Sequence, residues 1–164
     1  MAHHRERFFK SDDFEFTTEI LLGSAAFDAA DVGEVLATVA GIKDGDFDSW
    51  CAAWTATATR VEDEAARAEA AGHRATAFSR RLRASNYWFA VAFFVLGTKD
   101  GTTEDYHRLW RRHRDCFERA AALASPAWER VEIPYEDTKL EGWLFRGRPV
   151  EEPAPLLILN NGSD

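Results

Sequence analysis

The residues able to do chemistry are few and widely spaced. Asp44, Asp46 and Asp48 imitate the opening of a calcium loop, in which alternating carboxylates converge on one cation. The next position requires glycine and holds Ser49, and the closing glutamate is replaced by Thr55, so turn formation and helix capping account for these residues. His107 and His113 fall on different faces of a helix. His113 and Cys116 share a face, but a metal needs three or four ligands and no others are near, so no metal site is expected. Cys51 and Cys116 make no disulfide framework and read as small core residues in a reducing compartment. Ser85 and Asn86 are polar within an apolar helix and admit two readings. They form interhelical hydrogen bonds, because a buried amide must be paired, or they face a substrate. Tyr87, Trp88 and Phe93 beside them are open in the same way, as pocket lining or as core.

The elements that must position these residues change character near Ser125-Pro126, helical before it and extended after it. Phe8 to Leu22 suggests an irregular aromatic arm followed by a short helix. Asp31 with Glu34 three residues later reads as a helix start with a reciprocal cap, and Val32, Val35, Leu36 and Val39 then share a face. After the turn at Lys43-Asp44-Gly45-Asp46, the spacing of Phe47, Trp50, Cys51, Trp54, Ala58, Val61 and Ala65 predicts a helix that ends at Gly72, a residue suited to a left-handed stop. The next helix is basic at first and apolar on every side from Tyr87 to Leu96, which predicts the most buried helix of the unit. A last helix starts near Thr103 and carries Tyr106, Leu109, Trp110, His113, Phe117 and Ala120 on one face.

From Trp128 the period is two. Val131, Ile133 and Tyr135 alternate with Glu132 and Pro134, Glu136-Asp137 makes a tight turn, and Leu140, Trp143 and Phe145 follow, which is a hairpin. Leu156-Leu157-Ile158-Leu159 is a continuous apolar run, the pattern of a strand buried on both faces. Such a strand needs neighbours that one hairpin does not supply, so a truncated chain is expected; a complete small protein pairing with another copy is the other possibility. The expected fold class is therefore α+β, with a helical domain over 1–125 followed over 126–164 by a hairpin and one buried strand.

Charge and composition exclude other classes. The 164 residues carry a net charge of −8, which opposes non-specific contact with nucleic acid or an anionic membrane. The arginines at 80, 81 and 83 and at 108, 111, 112 and 114 have helical spacing and read as solvated faces. No secretory leader pattern opens the sequence, and the eleven residues from Tyr87 to Gly97 are too short to span a bilayer, so a cytoplasmic location is expected.

The order of a helical N-terminal domain, a hairpin V-x-I-P-Y-E-x-T-x-L-x-G-W-L-F-R from Val131 to Arg146, a proline-rich gap and an apolar strand running into Asn161-Gly162-Ser163-Asp164 resembles the start of α/β-hydrolases with an N-terminal helical cap. The groups it is most similar to are the fermentation–respiration switch family, 2,6-dihydroxypseudooxynicotine hydrolase, and relatives of dipeptidyl aminopeptidase or acyl-peptidase type. Asp31-Val32-Gly33-Glu34, Asp46 to Trp54 and Arg83-Ala84-Ser85-Asn86-Tyr87 carry the same resemblance. It implies a serine hydrolase in which the loop after the third strand donates one backbone N–H to the oxyanion hole. The matching donor is the amide of Ser163, with Gly162 allowing close approach. The nucleophile elbow G-x-S-x-G does not occur in the sequence, and the acid and histidine of the triad follow it in this fold. The resemblance thus implies that the chain stops before its catalytic machinery and is inactive alone. No cofactor is implied.

The function expected is hydrolysis of an ester, amide or activated C–C bond in a small-molecule, short acyl or peptide substrate, with the helical part as a substrate-shaping cap or a homodimer contact. Asn86 and Tyr87 are the candidate substrate contacts of that cap. The alternative is a stand-alone helical binding module, against which stand the absence of a fixed repeat and the presence of strands.

Overall fold

A helix begins where a side chain can take up its first unpaired N–H groups, and five such starts organise the first 125 residues. The structure, a computed structural model, describes residues 7–146 and 155–159. Ser11 caps α1 (Asp12–Ser24), Asp31 caps α2 (Val32–Val39) and Asp46 caps α3 (Phe47–Ala70). α4 (Arg74–Phe94) has no side-chain cap, and α5 (Thr103–Leu123) starts with a reciprocal box between Thr102 and Asp105. Two compact units meet the description, divided between Ser125 and Pro126.

α1 is longer than the sequence pattern suggests, starting at Asp12 rather than near Ile20. Acidic residues in its first turn suit the positive end of the helix dipole. Of the scattered aromatics, Phe14 points inward and Phe16 outward. The arm before it is held by carboxylates. Glu15 Oε2 accepts the N–H groups of Phe8 and Phe9, and Asp44 accepts those of Lys10 and Ser11. The three aspartates of the calcium-like triplet are therefore spent separately: Asp44 on the arm, Asp46 on Ser49 N as the α3 cap, and Asp48 on Lys99 N.

α3, α4 and α5 form the body of the helical unit, with Trp50, Trp54, Trp88, Tyr87 and Phe14 fully buried between the elements. α3 ends as expected at Gly72, which takes a left-handed φ of +73° while His73 N bonds back to Ala68 O. Arg74 then reaches across to the carbonyls of Ala122, Leu123 and Ala124, satisfying the end of α5. The first arginine cluster departs from the expected solvated face. Arg81 is buried and paired with Glu69 and Glu62, and Arg83 is mostly buried between Asp31 and Glu34. Among the described residues no helix is long and apolar enough to cross a membrane.

The second unit holds a two-stranded antiparallel sheet, β1 (Glu129–Tyr135) and β2 (Thr138–Leu144), in the register Ile133↔Leu140 and Tyr135↔Thr138. Its turn places Glu136 at a left-handed φ of +48°. One face carries Val131, Ile133, Tyr135 and Leu140. The other carries Arg130, Glu132, Lys139 and Glu141, joined by cross-strand ion pairs. The chain is thus mostly helical with a small antiparallel sheet, an α+β fold. The apolar run Leu156–Leu159 is neither in a strand nor buried, at 72–83% exposure, where a buried strand was expected. A strand requires ladder partners, and the described sheet contains only β1 and β2.

Candidate functional site

A helix apolar all round needs cover on every side. α4 obtains it from α3 and α5 along Ala77, Ala84, Trp88 and Val91, and from the chain before α2 along Tyr87. Its remaining side is bare. Phe89, Phe93 and Leu96, spaced at i, i+4 and i+7, are 43%, 54% and 56% exposed. The expectation that this is the most buried helix holds for three sides and fails on the fourth. The rings of Phe89 and Phe93 lie 5.8 Å apart, and His113 of α5 continues the row at 5.4 Å from Phe89.

The polar residues on and beside this stripe have defined partners. Asn86 Nδ2 donates to Ala29 O at 3.1 Å. Tyr87 is fully buried. Its Oη accepts from Asp31 N at 2.9 Å and donates to Glu34 Oε2 at 2.8 Å. The expected reciprocal cap of α2 is therefore only half internal: Asp31 Oδ1 takes Glu34 N, but the N–H of Asp31 is taken by Tyr87 instead of Glu34. Burial raises the Tyr87 hydroxyl well above the ordinary tyrosine range, so it stays protonated and able to donate. The hydrogen bond from Glu34 N, aided by Arg83, lowers the Asp31 carboxyl. Trp88 is also buried, donating to Glu62 and covered by the Arg112 guanidinium 3.8 Å from its ring centroid. Of the aromatics open to either reading, Phe93 faces outward, whereas Tyr87 and Trp88 face the core.

Ser85 and His113 form the one close serine–histidine pair among the described hydrogen bonds, with Oγ 3.0 Å from Nδ1. The roles required of a nucleophile and its base are reversed. Ser85 Oγ donates to His113 O at 2.9 Å, and Nδ1 lies 2.9 Å from Ser85 O, an atom that can only accept. Nδ1 therefore carries the proton and cannot take one from serine. Burial also lowers the His113 pKa, so the ring is neutral at pH 7. Burial pushes both thiols the other way, Cys51 and Cys116 each up to about 11, which leaves them protonated and poor nucleophiles. Gly162 and Ser163, the expected oxyanion loop, lie outside the described residues.

The structure thus brings Asn86, Phe89, Phe93 and His113 to one surface. Phe89 and its partnership with His113 were missed from sequence. The available signal was the all-round apolarity of α4, which exceeds what two flanking helices can cover.

No protein-family profile matches the chain. It is similar to three fungal proteins in particular. The α/β-hydrolase gkaG of Penicillium citrinum is 39% identical over 93% of this chain and 35% of that protein. The 20-hydroxy-prefusarin hydrolase FUS2 of Gibberella moniliformis is 34% identical over 95% of this chain and 38% of that protein. The hydrolase ORFZ of Pyricularia oryzae is 35% identical over 99% of this chain and 39% of that protein. The chain spans little more than a third of the length of these curated relatives. Similarity of this depth along almost the whole chain, to proteins that share the name hydrolase, supports the α/β-hydrolase family as the one to which this sequence is related.

Proposed function

We propose that the chain is the N-terminal portion of a serine-type α/β-hydrolase acting on an ester, amide or C–C bond, and that its helical unit is a cap that shapes the substrate site. The kinship proposed within that family is with the helical-cap groups named above. The observation that carries the reading is the bare Phe89–Phe93–Leu96 stripe in a chain that matches about 35–39% of its hydrolase relatives. Contiguous exposed apolar side chains mark surfaces with a partner or ligand. A cap presents such a surface to an apolar substrate. The amide of Ser163 is the proposed oxyanion donor, with Gly162 giving the backbone close approach. Nucleophile, acid and base come from sequence outside this chain, so the chain alone is inactive.

The test is an assay with short p-nitrophenyl esters, using this chain beside a protein of the relatives' length. Turnover only by the longer protein, lost on substitution of its elbow serine, supports the reading. Turnover by this chain, abolished by Ser163→Ala, overturns it.

A further inference from the structure

We propose that the α4 stripe is a site for an apolar molecule bearing hydroxyl or amine donors, and that Asn86 and His113 select for those donors. The inference rests on the stripe being the substrate-facing side of the cap and names the chemical class that side accepts.

Two hydrogen-bond acceptors flank the aromatic row. Asn86 Nδ2 is fixed on Ala29 O, so the amide must point Oδ1 elsewhere. His113 Nδ1–H is fixed on Ser85, so in the neutral ring Nε2 holds a lone pair. Neither Oδ1 nor Nε2 bonds another described residue. Neither is among the buried side-chain atoms without a partner, which in the described residues are Glu15 Oε1, Thr18 Oγ1, Trp54 Nε1 and Arg83 Nε. Both acceptors therefore open to the surface. Asn86 lies one turn before Phe89 on the same side of α4, and the His113 ring touches Phe89 from the α5 side. The site offers rings to an apolar body and lone pairs to donors at either flank.

This chemistry favours a small ligand over a second copy of the chain. In a two-fold contact between copies, Asn86 and His113 would meet only Asn86 or His113 of the partner, placing acceptor against acceptor. Both acceptors are set by internal hydrogen bonds before any ligand arrives, so little ordering accompanies binding.

Bisphenol A and its dimethyl ether are suitable probes, being of one shape but differing in two O–H donors. The expected result is about tenfold tighter binding of bisphenol A, the worth of one or two net hydrogen bonds. Ring-proton resonances of Phe89 and Phe93 should shift with it. The ¹⁵N resonance of His113 Nε2 should move on adding bisphenol A and not on adding the ether, a readout that needs no variant. His113→Phe keeps a ring against Phe89 and should abolish most of the preference. Equal affinity for both probes, with Phe89 and Phe93 shifted by each, overturns donor selection and leaves the proposed function standing. No shift at Phe89 and Phe93 with either probe overturns the inference and also removes the stripe as the substrate side. Shifts that follow protein concentration alone identify a self-contact and overturn it as well.

Discussion

Replacing Tyr87 by phenylalanine removes one oxygen and two hydrogen bonds from the interior of the helical unit. One bond comes from Asp31 N, the first backbone donor of the α2 cap, and the other goes to the Glu34 carboxylate. The ring stays, so its packing against Trp54 at 5.2 Å is kept and no cavity opens. The loss is therefore polar. A hydrogen bond to a charged acceptor contributes about 1.5–3 kcal/mol and a neutral one about 1 kcal/mol. Arg60 and Arg80 still contact Glu34 Oε1 at 3.4–3.5 Å, so the carboxylate is not left alone, and the expected net loss is about 2–3 kcal/mol. Asn86→Ala, which removes a single neutral bond to Ala29 O, should lose about 1 kcal/mol. Urea unfolding of the chain followed by tryptophan fluorescence measures both, with m unchanged if only native contacts are lost. A Tyr87→Phe loss below about 0.5 kcal/mol would refute the assignment of this hydroxyl to the α2 cap. An unchanged midpoint together with a raised KM in a protein of the relatives' length would return Tyr87 to the substrate.

His113 gives the chain a pH dependence with a defined sign. Burial holds its folded pKa below the ordinary 6.5, against a smaller opposing effect of the Ser85 carbonyl. Below 6.5 the unfolded chain binds a proton that the folded chain refuses, so stability falls with falling pH and levels off beneath the folded value. His113→Gln should flatten this slope between about pH 7.5 and about pH 5.5, and parallel urea midpoints for the two proteins would refute it. Gly101 lies where an added Cβ would sit 1.8 Å from Val95 O and 2.6 Å from Thr98 Oγ1. Gly101→Ala should therefore open the α4–α5 connection and cost about 2 kcal/mol, whereas Gly23→Ala, in an open helical position, should stabilise by up to about 1 kcal/mol. Thermal unfolding of the two variants distinguishes them, and equal shifts would contradict the contact geometry.

Signals confined to neighbouring residues were legible in the sequence. The aspartate before Phe47, the apolar spacing from Trp50 to Ala65, the left-handed stop at Gly72 and the alternation around Glu136-Asp137 each encode local geometry, and each element appears where expected. The start of α1 was obscured because four aromatics in nine residues look irregular until the helix sorts them, Phe14 inward and Phe16 outward. The buried arginines escaped for a longer-range reason. Arg81 resembles any arginine on a basic helix face, and its burial is decided by Glu62 and Glu69 of α3. The site was half legible. Polarity at Ser85 and Asn86 within an apolar helix was visible, but the uncovered side of α4 depends on where α1, α3 and α5 run out of surface.

The two units each leave an apolar surface unsatisfied, and they do so by different means. In the helical unit it is the side of α4 carrying Phe89, Phe93 and Leu96. In the second unit it is the sheet face carrying Ile133, Tyr135 and Leu140, each about half exposed, opposite a face neutralised by cross-strand ion pairs. A hairpin with one charged and one apolar face is built to lie on a second layer, because two strands alone are marginal in water. The Leu156–Leu159 run adds four apolar side chains without ladder partners. Polar substitutions at Ile133 and Leu140 should consequently raise the solubility of this chain while leaving the urea midpoint of the helical unit within about 0.5 kcal/mol. In a protein of the relatives' length the same substitutions should destabilise by about 1–3 kcal/mol each, since there the face would bury. Equal effects in both lengths would show that the hairpin's apolar face has no second layer to meet, and the proposed placement of this chain within a larger hydrolase would lose its support.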